Sequence, residues 1–497
     1  MTSTDAALRE ASSRNDALID ADLIRKWLAC GLGWLLLFPT IGVFVSTKFN
    51  YPTLLGDLPW FTFGRLRPMH VNGVIWGAFS TLFIGLCYYI VPRLSGVRVW
   101  GERWSRGLLW VWNLNLAAGV VLLGLGWNRG WEAGELPLIN VVVTFLALVF
   151  LTLQFLMTIK ERREPPLYVS LWYLIAAFVW TDVNLVLLML GPYHIPGINN
   201  AAWHGLFIHY VVGLWITPAG YVLIYYFLPA SVKNPIYSHR LSLIGFWSLA
   251  FFYPFVGIHH YLYSPIDDWA ETIAIVSSMM LIIPVWTVLQ NFFGTMIGRW
   301  PEFSRNLPAK FLIVGSLMYL VGCFQGSLEA LRSLQQPTHF TDFVISHSHL
   351  TVFGTFVVWA IAGTMYVWPR LAAVRAIGPA GGWGPQARGE AYEESPPAEA
   401  REINDVALWS FRVGNWGFWL ITLGISAMGL VLVAQGLTQG FMLMAGIEWM
   451  HSVNAIRPYW WVRTLTGMSM DVGMSLVVYV LMKTTLARPP VVSSGAQ

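Results

Sequence analysis

The sequence predicts an all-α membrane protein with about twelve transmembrane helices, and three features carry that expectation. Composition comes first: 56% of the 497 residues are hydrophobic and only 11% are charged. The mean hydropathy of +0.57 also lies outside the range of soluble globular chains. Run length is the second feature. A helix crossing hydrocarbon needs roughly 20 mostly apolar residues. Such runs centre near Leu36, Ser80, Ala117, Leu146, Ala176, Thr217, Leu249, Met280, Met318, Val358, Ile421 and Met474. Third is the placement of positive charge. Arg25-Lys26, Arg93/Arg98/Arg103/Arg106, Lys160-Arg162-Arg163, Lys233/Arg240, Arg299/Arg305/Lys310 and Lys483/Arg488 fall on alternate connections. The positive-inside rule makes those connections cytoplasmic and puts both termini on that side. The net charge of +4 follows from this topology, so no nucleic-acid partner is needed to explain it.

Outside the runs, residues 1–24 read as a polar cytoplasmic tail without the short apolar core of a cleavable signal peptide. One transmembrane domain spans 25–485, and 486–497 form a cytoplasmic C-terminal tail. The Gly-, Pro- and Glu-rich stretch 376–404 reads as a flexible cytoplasmic loop between the tenth and eleventh runs. Cys30, Cys87 and Cys323 stand singly in apolar runs, and there is no C-x-x-C-H for covalent heme attachment. The 27 tryptophans suit interfacial aromatic belts.

Six histidines carry the chemistry. With helix direction alternating, His70 opens the second run at its outer end, and His347 and His349 open the tenth. His209 falls one to two turns into the sixth, and His259-His260 close the seventh. All six therefore share the outer third of the bilayer, where polar side chains are costly and usually functional. His347 and His349 are two residues apart, about 200° around a helix, so each serves a different side. One of them with His70 would clamp a heme iron from both faces; the other would hold a second heme from one side. His209, His259 and His260 would then supply three nitrogens to a further metal, a donor set that suits copper better than iron or magnesium. His204, five residues before His209, competes for that role.

The stretches FGRLRPMH (63–70), H-x-x-V-G (209–213), YYFLP (225–229), YSHRLS (237–242), the HH at 259–260 and THFTDFVISHSH (338–349) complete the pattern. Together they resemble the catalytic subunit I of the heme–copper oxidase superfamily, specifically the cbb3-type cytochrome c oxidases. The resemblance implies the subunit I fold over roughly 25–485. It implies that His70 and His349 ligate a low-spin heme b, that His347 ligates a high-spin heme b, and that His209, His259 and His260 hold one copper ion. It implies that Tyr253 is joined covalently to His209 and lends an electron and a proton for O–O cleavage. It further implies reduction of O2 to water coupled to proton translocation in a bacterial inner membrane. Electrons would come from mono-heme and di-heme c-type cytochrome subunits of a hetero-oligomeric complex.

Other residues receive secondary expectations. Arg65 and Arg67 on the outer side would pair with heme propionates, with His339 and Asp342 as weaker candidates. Glu132 and Glu135 lie in an outer loop where the family binds calcium. Tyr319, Thr295, Ser248 and Tyr226 would line a single hydroxyl-and-water proton route from the cytoplasm to Tyr253. Gln325, in Phe324-Gln325-Gly326, stands where relatives carry a glutamate that tunes the heme through its proximal histidine.

Three alternatives are weighed against this reading. A nitric oxide reductase uses the same six-histidine frame but needs a glutamate one turn after the sixth-run histidine and lacks the tyrosine. Here that position is Gly213, with Thr217 a turn further on. A secondary transporter predicts broken helices and inverted repeats near the midplane. A structural b-type cytochrome leaves His259-His260 without a task.

Overall fold

A computed structural model of the chain describes residues 18–377 and 408–486, and within them it is all helical. Twelve helices are long and apolar enough to cross a membrane. They run Ala21–Asn50, Phe63–Ser95, Glu102–Gly124, Leu138–Lys160, Val169–His194, Gly197–Val232, His239–Tyr261, Asp268–Thr295, Leu307–Glu329, Asp342–Leu371, Phe411–Met444 and Trp449–Leu486. These are spans 1 to 12, and every predicted centre falls inside one of them. The cytoplasmic loop expected at 376–404 lies outside the described residues from 378 onward, as do residues 1–17 and 487–497.

The polar tail is shorter than expected. Asp20 caps span 1, its Oδ1 accepting the Leu23 N–H at 3.0 Å, and Asp22 lies in the first turn. Both favour a helix start four residues before the boundary that hydropathy alone suggests, because capping and dipole effects act on polar residues.

Burial separates the spans into two classes. In spans 2, 6 and 10, 94% of the most apolar window is buried, against 28–61% in the other nine. The three therefore form the axis of the bundle. The outer spans turn residues such as Leu146, Val183, Trp247 and Leu430, 59–73% exposed, away from the protein. Lipid is the natural solvent for such a face.

Each axial span also carries a π-helical stretch: Gly73–Phe79, Val211–Ile216 and His349–Val357. All three begin at or just after a histidine of the predicted set. Such widened turns are rare and concentrate at functional sites. Span 7 changes geometry in the opposite sense, being α-helical over His239–Phe252 and a 3-10 helix over Tyr253–Tyr261. Pro254 provides a cause, since it has no N–H to give the Ala250 carbonyl.

Candidate metal centre

On the axis, His70 and His349 face each other with ring centroids 6.4 Å apart and planes 21° from parallel. Two imidazoles bound on opposite sides of one metal, each at a metal–nitrogen distance of about 2 Å, put their centroids about 6 Å apart. The pair therefore has a spacing at which both rings could hold one metal ion between them. Both tautomers are fixed by backbone. His70 Nδ1 lies 2.8 Å from the Phe38 carbonyl of span 1, and His349 Nδ1 lies 2.9 Å from the Ile345 carbonyl on its own helix. A carbonyl only accepts, so each Nδ1 carries the proton and each Nε2 keeps a lone pair for metal.

His347 points to another side, as two residues of helix require. Its Nδ1 donates to the Gly322 carbonyl of span 9 at 2.8 Å, and its ring packs on Gly326. It lies within electrostatic reach of His209, His259 and His260.

Those three form the cluster. Among the described residues they are the one group of three or more His, Cys, Asp or Glu side chains able to converge on an ion, with ligand atoms within 4.8 Å of one another. His209 Nε2 is 2.7 Å from His260 Nε2, and His209 Nδ1 is buried with no partner. Crowded nitrogens and an orphaned one are what a donor set shaped for a cation leaves behind. His209 lies more than three turns past Gly197, deeper along its helix than expected, because span 6 begins well before its most apolar stretch. It still meets span 7, because the two backbones touch at Gly205 and Gly257. A Cβ on Gly257 would lie 2.4 Å from the Gly205 carbonyl oxygen.

The 3-10 geometry then places the tyrosine. At three residues per turn, residues six apart share a face, so Tyr253 and His259 both point toward span 6. The Tyr253 ring sits 5.9 Å from that of His209. A Cβ on Gly213 would come within 1.7 Å of Tyr253 Cε1, so the phenol fills the space where a side chain at 213 would stand.

Residues 22–469 match the family described as Cytochrome C and Quinol oxidase polypeptide I. The chain belongs to that family. It is 26% identical over 488 residues to the cbb3-type cytochrome c oxidase subunit CcoN1 of Stutzerimonas stutzeri, covering 94% of this chain and 95% of that one. A nitric oxide reductase chain of the same organism is 23% identical over 478 residues, covering 88% and 90%. A solved heme–copper terminal oxidase dimer has the same fold, with a TM-score of 0.65 at 14% identity over 90% of this chain and 84% of that one. Membership in this oxidase family makes the chain a multi-pass membrane oxidoreductase subunit of heme–copper type.

The remaining predicted residues are placed as follows. Arg67 forms an ion pair with Glu132, and Arg65 Nη1 donates to the Gly124 carbonyl at 2.9 Å. Glu135 is buried in the loop between spans 3 and 4 and accepts from Asn72 Nδ2 at 2.7 Å. Burial pushes its carboxyl up to about 7 despite that hydrogen bond. His204 bonds the Tyr261 hydroxyl at 3.2 Å and stacks on Trp131, outside the metal cluster. His339 stacks on Phe340. Asp342 pairs with Arg463 of span 12 at 3.4 Å and accepts from Gln435.

Arg463 is a residue the sequence reading missed. Its side chain is 11% exposed and lies within electrostatic reach of both His70 and His349. The signal was a guanidinium inside an apolar helix, which is itself grounds for suspecting a functional partner.

The four hydroxyls expected along the proton route make no hydrogen bonds to one another. Ser248 bonds its own helix at the Ile244 carbonyl, and Thr295 bonds the Asn291 carbonyl and the Tyr237 N–H. Tyr226 packs edge-on against Tyr89. Tyr319 instead shares a hydrogen bond with Tyr221, which had not been singled out. Nearby, Asn291 Nδ2 donates to Ser242 Oγ at 2.9 Å and to the Tyr225 hydroxyl at 3.4 Å. Gln325 does not reach the His347 Nδ1. Its amide donates to the Phe343 carbonyl at 2.9 Å and to Glu329 at 3.3 Å.

Proposed function

We propose that this chain is the catalytic subunit of a cbb3-type terminal oxidase that reduces O2 to water with electrons from cytochrome c and translocates protons. In this reading His70 and His349 ligate a low-spin heme b, His347 ligates a high-spin heme b, and His209, His259 and His260 hold copper. The bound hemes and copper supply electron transfer and the metal pair at which oxygen is reduced. The protein's own residues do the rest. Backbone carbonyls hold His70, His347 and His349 as Nε2 donors. Tyr253 presents a phenolic O–H beside His209 and is the proton donor for bond cleavage. Protons reach it from the cytoplasm through hydroxyls around Tyr221 and Tyr319, with Asn291, Ser242 and Tyr225 further in.

Arg463, within electrostatic reach of both His70 and His349, joins Arg65 and Arg67 as a propionate partner; like them it already holds a protein partner, Asp342. A calcium ion at Glu132 and Glu135 would require Arg67 to release Glu132. Mono-heme and di-heme c-type subunits would deliver electrons at the outer face of a bacterial inner membrane, with both termini cytoplasmic.

The observation that carries this reading is Tyr253 occupying the space beside Gly213. A nitric oxide reductase needs a carboxylate there, and a side chain at 213 and this phenol exclude each other. Metal analysis of the purified complex, with parallel O2 and NO turnover, is the test. Two hemes b, quantified apart from the hemes c of the other subunits, and one copper per chain, with O2 as the faster substrate, are expected. Iron without copper, with NO the faster substrate, would overturn it.

A further inference from the structure

His259 is held differently from every other histidine of the centre. The tautomers of His70, His347 and His349 rest on backbone carbonyls, but His259 Nδ1 lies 2.7 Å from a side chain, Ser278 Oγ of span 8. That hydroxyl donates its one proton to the Ala274 carbonyl at 2.6 Å. It can therefore only accept from His259, which places the proton on Nδ1 and leaves the lone pair on Nε2. Both residues are buried, His259 at 6% and Ser278 at 1% exposure.

A second contact clamps the same residue from its backbone. Gln335, 2% exposed, donates through Nε2 to the His259 carbonyl at 2.9 Å. The two supports are joined. Glu271 precedes Ser278 by seven residues, two turns along the helix Asp268–Met280. Arg332 precedes Gln335 by three on the short helix Arg332–Thr338. Arg332 and the buried Glu271 form an ion pair at 2.9 Å. Span 8 and the short helix thus grip His259 between them, while His209 Nδ1 has no partner at all.

We propose that Ser278 is a positioning residue for the copper centre: its hydroxyl fixes the tautomer and ring direction of His259, making that imidazole the preset arm around which His209 and His260 close. The proposal rests on the assignment of these three histidines to copper. Hydrogen bonds of this kind to a metal-bound imidazole typically change metal affinity about 10–100-fold.

The test uses the whole purified complex carrying Ser278→Ala, Ser278→Thr, Ser278→Val or His209→Ala. Copper per heme is measured across a titration with a copper chelator, and the reduced heme spectrum reports assembly. Ser278→Ala should keep its heme spectrum and release copper at about 10–100-fold lower chelator concentration. Ser278→Thr, which keeps the hydroxyl, should follow the parent chain. If Ser278→Ala fails to assemble, the isosteric pair decides: Thr retaining copper while Val loses it supports the proposal, and equal retention overturns it. Ser278→Ala holding copper like the parent while His209→Ala loses it overturns the positioning role and leaves the ligand set standing. Retention by His209→Ala overturns the ligand assignment itself.

Discussion

The His70–His349 pair and the His209–His259–His260 cluster are built from the same side chain at similar depth, yet they are secured in opposite ways. The pair is carried by two axial spans, its rings are nearly parallel, and both Nδ1 atoms are tied to carbonyls that no substitution removes. The cluster takes one ring from axial span 6 and two from a 3-10 segment of peripheral span 7. Its nitrogens crowd one another, and one Nδ1 has no partner. A centre that only passes electrons gains from closed, rigid ligation. One that must admit a substrate needs an open position and ligands able to adjust. Here rigidity of the pair comes from backbone acceptors, while the cluster joins one ring held by a side-chain hydroxyl, His259, to a His209 whose Nδ1 has no partner.

That contrast can be broken most forcefully with His260→Ala. Oxygen turnover should drop to background while the reduced low-spin heme spectrum persists, and loss of both together would show that the two sites are not separable. Tyr253→Phe comes next. It removes the hydroxyl proposed as proton donor and little else, so turnover should fall about 10²–10⁴-fold with copper and heme contents unchanged. Gly213→Ala drives a methyl group into the Tyr253 ring. Overpacking of this kind costs about 1–3 kcal/mol, read as a lower thermal midpoint for heme retention. The low-spin pair should be unaffected in the assembled fraction.

The smallest effect concerns Glu135, outside both centres. Burial favours its neutral form, so the folded chain keeps that proton up to about pH 7 while the unfolded chain releases it near 4.5. Stability is therefore gained as pH falls through that window and lost as pH rises through it. The thermal midpoint of the parent chain should decline between pH 5 and 8, and Glu135→Gln should flatten the curve. An unchanged slope in that variant would remove Glu135 as the source.

Much of this was legible in the letters. Twenty-residue apolar runs are a strong signal, and each predicted centre fell within an observed span because hydrocarbon thickness leaves few alternatives. The histidines were legible for a related reason: shared depth is visible once helix direction alternates. Helix type was not. Whether Val211–Ile216 closes π turns, or Tyr253–Tyr261 closes 3-10 turns, depends on which carbonyls neighbouring spans leave free. The local partners of the route hydroxyls were hidden for a similar reason. Ser248 and Thr295 satisfy themselves on nearby backbone, and sequence does not reveal that a polar group in a helix has already committed its proton. Tyr221 carried no signal of its own, because aromatic residues in an apolar run usually pack.

The widened turns of spans 2, 6 and 10 have a consequence for how this chain can vary. Each accommodates a surplus residue within a continuous helix, so the segments inward and outward of it keep nearly the register of an unbroken α-helix. Deleting one residue there would let the ladder close to ordinary pitch and leave the flanking faces in place. A deletion elsewhere in the same span has no such slack and would swing everything beyond it by roughly 100°. Single-residue deletions in 73–79, 211–216 or 349–357 should therefore spare assembled heme better than deletions in the α-helical parts of the same spans.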